Sequence, residues 1–120
     1  MHKLLSGRRI LVVEDEALLS MTLEDMMADL GCESVTPAST VDTAVSLINA
    51  QAFDAAVLDM NLNGYSSRPV ADALAARGVP FFVSTGNTGD LGDGFRDHAV
   101  LRKPYREDQL VEAFKRLLLH

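Results

Sequence analysis

Cysteine is almost missing from this sequence: Cys32 is the only one. A single thiol excludes an internal disulfide and any metal cluster built from cysteine pairs. It fits a reducing compartment, and Cys32 itself reads as a small buried hydrophobe rather than a reactive thiol. No apolar run approaches the roughly 20 residues of a membrane span. The opening stretch Met1-His2-Lys3-Leu4-Leu5-Ser6-Gly7-Arg8-Arg9 is too short and too quickly basic for a secretory signal. Positive charge is scarce as well. Lys and Arg number 11 against 17 Asp and Glu, a net charge of −6, the opposite of a nucleic-acid-binding surface. Internal repeats, low-complexity tracts and linkers are absent too. The expectation is a cytoplasmic protein that binds neither nucleic acid nor membrane.

What is present is an ordinary globular composition, 48% hydrophobic over 120 residues, enough for one domain with a real core. Residues 1–8 are expected to form a loose arm of a single domain spanning 1–120. Ile10-Leu11-Val12-Val13 is a β-branched-rich apolar run that reads as a buried strand, and it stops abruptly at Glu14-Asp15-Glu16. Leu19, Leu23, Met26 or Met27, and Leu30 recur at helical spacing for about four turns, with Gly31 as a stop. Cys32 to Thr36 forms a weaker strand ended by Pro37. Ser39 with Asp42 fits a capping box for a helix whose face is Val41, Ala44, Val45 and Ile48.

Phe53-Asp54-Ala55-Ala56-Val57-Leu58-Asp59 is a third strand, mostly apolar and closed by an acid. Ser67-Arg68-Pro69 opens a short helix that continues through Val70, Ala71, Leu74 and Ala75 to Gly78. Phe81-Phe82-Val83-Ser84 is a fourth strand. Glycines 86, 89, 92 and 94 then disfavour helix, so an irregular fourth helix region is expected. Ala99-Val100-Leu101 is a short fifth strand, closed by Arg102-Lys103-Pro104. Leu110, Val111, Phe114, Leu117 and Leu118 mark a last helix, with acids in its first turn and bases near its end, as the macrodipole favours. Such β/α alternation gives an α/β fold: a doubly wound, flavodoxin-like (βα)5 parallel sheet of strand order 2-1-3-4-5.

In that order the first and third strands are neighbours, and the gap between their C-terminal ends is the switch point where ligands bind. The polar residues collect there. Glu14 and Asp15 end the first strand, Asp59 the third, Ser84 and Thr85 the fourth, Lys103 the fifth. Carboxylates held about 4 Å apart repel by roughly 4 kcal/mol per pair at an effective dielectric near 20, a cost that a hard divalent cation relieves. Mg²⁺ is the natural candidate, since it takes oxygen ligands and needs few protein carboxylates. Metal and lysine together suit phosphoryl transfer to a carboxylate, by screening two anionic partners from each other.

The stretches Leu11-Val12-Val13-Glu14-Asp15-Glu16, Ala56-Val57-Leu58-Asp59, Ser84-Thr85-Gly86 and Lys103-Pro104 resemble, in order and spacing, the receiver domain of two-component response regulators over nearly the whole chain. The resemblance implies that Asp59 is the phosphoacceptor. Asp15 and the backbone carbonyl of Asn61 then bind Mg²⁺ with Asp59, Glu14 acts through a water, Thr85 is the switch hydroxyl and Lys103 contacts the phosphate. It also implies a cis Lys103-Pro104 peptide. Pro80-Phe81-Phe82-Val83-Ser84-Thr85-Gly86 is similar to the PFxFATG stretch of an alphaproteobacterial sub-family of stand-alone or HWE-kinase-linked receivers. Pro80, Phe81, Thr85 and Gly86 agree with that stretch; Val83, Ser84 and Asn87 depart from it. The loop after Asp59 is short, with Asn63 where most receivers have Pro. Most receivers carry an aromatic three residues before the lysine; here that residue is Val100, so the usual threonine–aromatic coupling is missing. Tyr105 is the nearest substitute, and otherwise an anchor for the last helix.

Each residue also has a plainer reading. Asp59 can cap a turn, Glu14 and Asp15 can serve the helix macrodipole, Lys103 can be a solvated lysine, and Ser84 rivals Thr85 as hydroxyl donor. The convergence of four strand ends favours the phosphoacceptor. The expected partners are then a histidine kinase or phosphotransferase. With no output domain after Leu119-His120 in this sequence, the expected output is protein–protein contact, phosphorelay or a phosphate sink, the alternative being that the chain is the receiver of a larger protein. The last helix and fifth strand offer a face for a homodimer. Two other classes compete: a Mg²⁺-dependent phosphohydrolase with an aspartyl nucleophile, and a receiver-like scaffold that is never phosphorylated.

Overall fold

Five apolar or half-apolar runs in this chain become adjacent strands, and their order sets where every acid lands. The computed structural model describes residues 5–62, 64–85, 100–102 and 106–118. In chain order the elements are β1 (Arg9–Val13), α1 (Ala17–Asp29), β2 (Ser34–Ala38), α2 (Val41–Ala50), β3 (Ala55–Asp59), β4 (Asn61–Leu62), β5 (Tyr65–Ser66), α3 (Arg68–Ala76), β6 (Phe81–Thr85), β7 (Val100–Arg102) and α4 (Glu107–Leu118). The main sheet runs β2-β1-β3-β6-β7, with every pair parallel. This is the expected 2-1-3-4-5 order, with the small β4–β5 hairpin standing outside it. The expected irregular fourth helix region falls outside the described residues.

Alternation along the strands divides the core in two. Leu11 and Val13 of β1, Ala56 and Leu58 of β3, and Val83 of β6 pack on one face with Ala44 and Ile48 of α2 and Val70 and Leu74 of α3. Ile10 and Val12, Val57 and Phe82 pack on the other face with Leu23 and Met27 of α1 and Leu110 and Phe114 of α4. Phe82 and Phe114 meet edge to face, centroids 5.1 Å apart at 80°, the arrangement aromatic quadrupoles favour. Every residue of β3 is buried, so the strand that carries Asp59 is fixed from both sides.

The structure corrects several expectations. Residues 5–8 are not loose: the Leu5 side chain is fully buried in the second core, and its N–H donates to the Leu30 carbonyl at 3.0 Å. The lone Leu4-Leu5 pair has no periodicity to announce it. Pro37 does not end β2 but lies within it, opposite Val12. β2 is the sheet edge, where a missing N–H costs no ladder bond. Ser39 is not the cap of α2. Thr40 is, with φ −134° and its side chain accepting from the Thr43 N–H, because β2 runs on to Ala38. β3 begins at Ala55 rather than Phe53. Asp54 spends its carboxylate on the Arg9 N–H at 2.8 Å, closing the lower end of the sheet.

Gly31 stops α1 as expected, at φ +87°. The hairpin was not expected. It pairs Asn61 with Ser66 and Leu62 with Tyr65, and Gly64 holds φ +85°. Nothing lies within 4 Å of where a Cβ on Gly64 would stand, so Gly64→Ala meets backbone strain and no clash. We expect a loss of about 1 kcal/mol, read as a lower urea midpoint with an unchanged slope.

Candidate functional site

The C-terminal ends of β1 and β3 lie side by side, and both end in acid. Val13 pairs with Leu58, which places Glu14 and Asp59 on the next rung of adjacent strands. Glu14 is 3% exposed and Asp59 5%; Asp15 is half-buried. The Glu14 N–H donates to the Ala38 carbonyl at 3.0 Å, and its Oε1 accepts the Glu16 N–H at 3.2 Å. One oxygen from each of Glu14, Asp15 and Asp59 can be chosen so that all three lie within 4.8 Å of one another. A depression of about 300 Å³ opens beside Glu14 and Asp15, between α1 and the end of β2.

The plain macrodipole reading of Glu14 and Asp15 finds little support. α1 begins at Ala17 after the N-cap Glu16, and its first turn holds no acid. Glu14 and Asp15 precede the helix and converge with Asp59 instead. Buried like charges at this spacing repel by several kcal/mol per pair at an effective dielectric near 20. An all-oxygen donor set on a solvent-open edge fits a hard divalent ion that keeps some of its waters, so the residues present fit Mg²⁺.

The chain beyond Asp59 is clamped. Met60 donates its N–H to the Ser84 carbonyl at 3.0 Å, and its carbonyl accepts from the Ser67 N–H at 3.3 Å and from the Ser67 hydroxyl at 2.8 Å. Ser67 is fully buried. Sequence reasoning placed it only at a helix start, and nothing in the sequence marked its bond to Met60. This clamp holds the strand-to-hairpin turn that presents the backbone of Asn61. Ser67→Ala removes one of the two donors to the Met60 carbonyl and is expected to cost about 1 kcal/mol, measured by urea unfolding.

Thr85 ends β6, 3% exposed, opposite Arg102 of β7. Ser84 pairs with Asp59 on one side and Leu101 on the other. Its Oγ is buried without a hydrogen-bond partner among the described residues, although such an orphan costs roughly 1–3 kcal/mol. Lys103, Pro104 with its expected cis bond, Tyr105 and the glycine-rich segment after Thr85 lie outside the described residues. The structure therefore brings Glu14, Asp15, Asp59, Ser84 and Thr85 to one sheet edge and leaves Lys103 to the sequence pattern. Cys32 plays no part here. It packs at the border of the second core, and burial pushes its thiol pKa up, away from the reactive thiolate.

Comparison with known proteins agrees with this geometry. At 31% identity over 113 residues, the chain matches the transcriptional regulatory protein PdtaR of Mycobacterium tuberculosis, covering 90% of this chain and 55% of that protein. It thus spans about half the length of this relative. The solution structure of SdrG from Sphingomonas melonis Fr1 superimposes with a TM-score of 0.83 at 43% identity, covering 94% of this chain and 98% of SdrG. The receiver domain of the sensor histidine kinase PA1611 from Pseudomonas aeruginosa PAO1, solved with a magnesium ion coordinated in its active-site cleft, gives a TM-score of 0.80 at 28% identity, covering 93% of this chain and 98% of that one. Residues 10–115 match the family of the response regulator receiver domain. With the parallel order, the acid-tipped strands and this match in hand, the chain belongs to the response regulator receiver domain family, the phosphate-accepting modules of two-component signalling.

Proposed function

We propose that Asp59 accepts a phosphoryl group from the phosphohistidine of a histidine kinase or phosphotransferase. The observation that carries this reading is the meeting of Glu14, Asp15 and Asp59 oxygens within 4.8 Å, with Asp59 at the end of a fully buried strand. A carboxylate oxygen of Asp59 attacks phosphorus and forms an acyl phosphate. The P–N bond breaks with its electron pair staying on nitrogen, and the imidazole leaves neutral because its other ring nitrogen carries a proton. Asp15, Asp59 and the Asn61 carbonyl would hold Mg²⁺, with Glu14 acting through a water. Bound there, Mg²⁺ offsets the charge of carboxylate and phosphoryl oxygens. The magnesium in the PA1611 receiver cleft supports this assignment.

The buried strand holds the Asp59 carboxylate so that little reorganisation precedes attack. Thr85, one rung beyond the register of Asp59 and Ser84, supplies a hydroxyl to the phosphoryl oxygens, and Lys103 a fixed positive charge. The new charge biases the loops that follow β6 and β7. With Val100 in place of an aromatic, readout passes through other contacts, Tyr105 among them. Output is protein–protein contact, a phosphorelay step or a phosphate sink, and a homodimer through α4 and β7 is one form it can take. No helix among the described residues is long and apolar enough to cross a membrane; we place the protein in the cytoplasm on that and on its single cysteine. The 43% identity to SdrG supports the narrower alphaproteobacterial likeness.

The phosphohydrolase reading needs a second carboxylate shortly after the nucleophile to act as acid and base. That stretch offers Asn61 and Asn63, so the chain is a phosphoacceptor and no turnover enzyme. Incubation with acetyl phosphate and Mg²⁺, read by intact mass, tests the proposal. One base-labile phosphoryl group per chain, formed only with a divalent ion, is the expected outcome. Multiple turnover of a phosphomonoester, or an adduct indifferent to divalent ions, overturns it.

A further inference from the structure

A buried hydroxyl with nothing to bond is uncommon in a protein core, and here one stands beside the phosphoacceptor. Ser84 is 1% exposed, and its Oγ has no partner among the described residues. It occupies the same sheet rung as Asp59. Alternation along β6 puts Ser84 on the face of Phe82, and alternation along β3 puts Asp59 on the face of Val57. Phe82 and Val57 belong to the same core cluster. The two side chains are therefore cross-strand neighbours, on strands about 4.8 Å apart. Ser84's other rung neighbour, Leu101, has no polar side-chain atom. Below it, Phe82 packs edge to face on Phe114. Asp59 is thus the polar side chain that register places beside the orphan hydroxyl.

We propose that Ser84 is a second hydroxyl of the phosphorylated site, distinct in role from Thr85. It donates to the carbonyl oxygen of the Asp59 acyl phosphate. Register sets the difference between the two. Thr85 lies one residue beyond Asp59's rung, level with a phosphoryl group projecting from the sheet edge. Ser84 lies level with the Asp59 carboxyl itself. In the unphosphorylated protein that carboxylate does not bond Ser84. Forming the acyl phosphate fixes one oxygen as ester and leaves the other as carbonyl, and a small rotation of the Asp59 side chain sets that carbonyl between Mg²⁺ and Ser84 Oγ, with one lone pair for each. The hydroxyl then gains a partner only in the phosphorylated state, so its orphan cost becomes part of the bias between the two states. This inference rests on the phosphoacceptor reading of Asp59.

Beryllofluoride, which adds to a carboxylate as phosphoryl does, is the probe. Ser84→Ala is expected to bind beryllofluoride with Mg²⁺ about tenfold more weakly than the wild type, the worth of one hydrogen bond. Its carboxyl carbonyl stretch in the adduct, followed with ¹³C-labelled aspartate, should move to higher wavenumber as the donor is lost. Without beryllofluoride, Ser84→Ala should melt at the same temperature as the wild type or higher, since it removes a hydroxyl with no partner among the described residues. A hydroxyl with a merely structural role gives the reverse pattern: lower melting, unchanged affinity and an unmoved stretch. That pattern overturns the proposal, as does unchanged affinity alone. A wild-type protein that binds no beryllofluoride refutes the phosphoacceptor reading itself, and this inference with it; binding by the wild type and Ser84→Ala alike refutes only the role of Ser84.

Discussion

Asp59→Asn is expected to form no base-labile phosphoryl adduct and to melt at a higher temperature than the wild type. The two effects have one cause. Asp59 is 5% exposed beside Glu14 and Asp15, with three oxygens inside 4.8 Å. An amide cannot attack phosphorus as a carboxylate does, so the adduct disappears. The amide also removes one of three repelling charges, and relief of even about 1 kcal/mol raises Tm by roughly 4 °C in a domain of this size. Sites tuned for binding commonly sacrifice stability in this way. Intact mass after acetyl phosphate treatment checks the first effect and a thermal melt the second. An adduct that survives in Asp59→Asn places the phosphoryl group elsewhere. A lower Tm would show that Asp59 makes contacts worth more than the repulsion it suffers.

The second large effect concerns the cation. Asp15→Asn is expected to weaken Mg²⁺ binding tenfold or more, measured by titration calorimetry, because it removes a charged oxygen from a small donor set. In the wild type, Mg²⁺ should raise stability with concentration, by about 2.7 kcal/mol at a hundredfold excess over Kd. Asp15→Asn should lose most of that rise while melting higher in the absence of metal. Lys103→Ala should leave Mg²⁺ affinity nearly unchanged and impair signalling instead, which separates a phosphate-contacting lysine from the metal donors. Equal losses of affinity in Asp15→Asn and Lys103→Ala would contradict that division.

The arrangement of acids was legible because buried parallel strands read as continuous apolar runs. Leu11-Val12-Val13 and Ala56-Val57-Leu58 each break into acid, and the parallel order β2-β1-β3-β6-β7 then has to bring those acids together. Short or local features were less legible. Each strand of the hairpin is two residues long, too few for a period. Its signature was nonetheless present as Asn63-Gly64 between Leu62 and Tyr65, a pair typical of two-residue hairpin turns. Thr40 and Ser39 are adjacent hydroxyls of similar capping strength, and only the extent of β2 decides between them. Pro37 reads as a breaker until the sheet shows that its strand is an edge.

The serines were the least legible. Ser67 and Ser84 look in sequence like tolerated small polar residues. One proves to hold the Met60 carbonyl, and the other finds no hydrogen-bond partner among the described residues. Both facts depend on which residue the fold sets opposite, which no local pattern encodes. Leu5 belongs with them, buried completely in a stretch with no repeat to announce it.

The central claim is that the phosphoryl group resides on Asp59. Borohydride reduces an acyl phosphate to the alcohol, turning a phosphorylated aspartate into homoserine at the residue that carried it. Phosphorylated wild-type protein, reduced and digested, should yield homoserine at Asp59 in the peptide spanning β3, and only when Mg²⁺ was present during phosphorylation. Homoserine at Asp15 or Glu14's homologous alcohol, or an unreduced Asp59 in a protein that carries phosphate, would contradict the account.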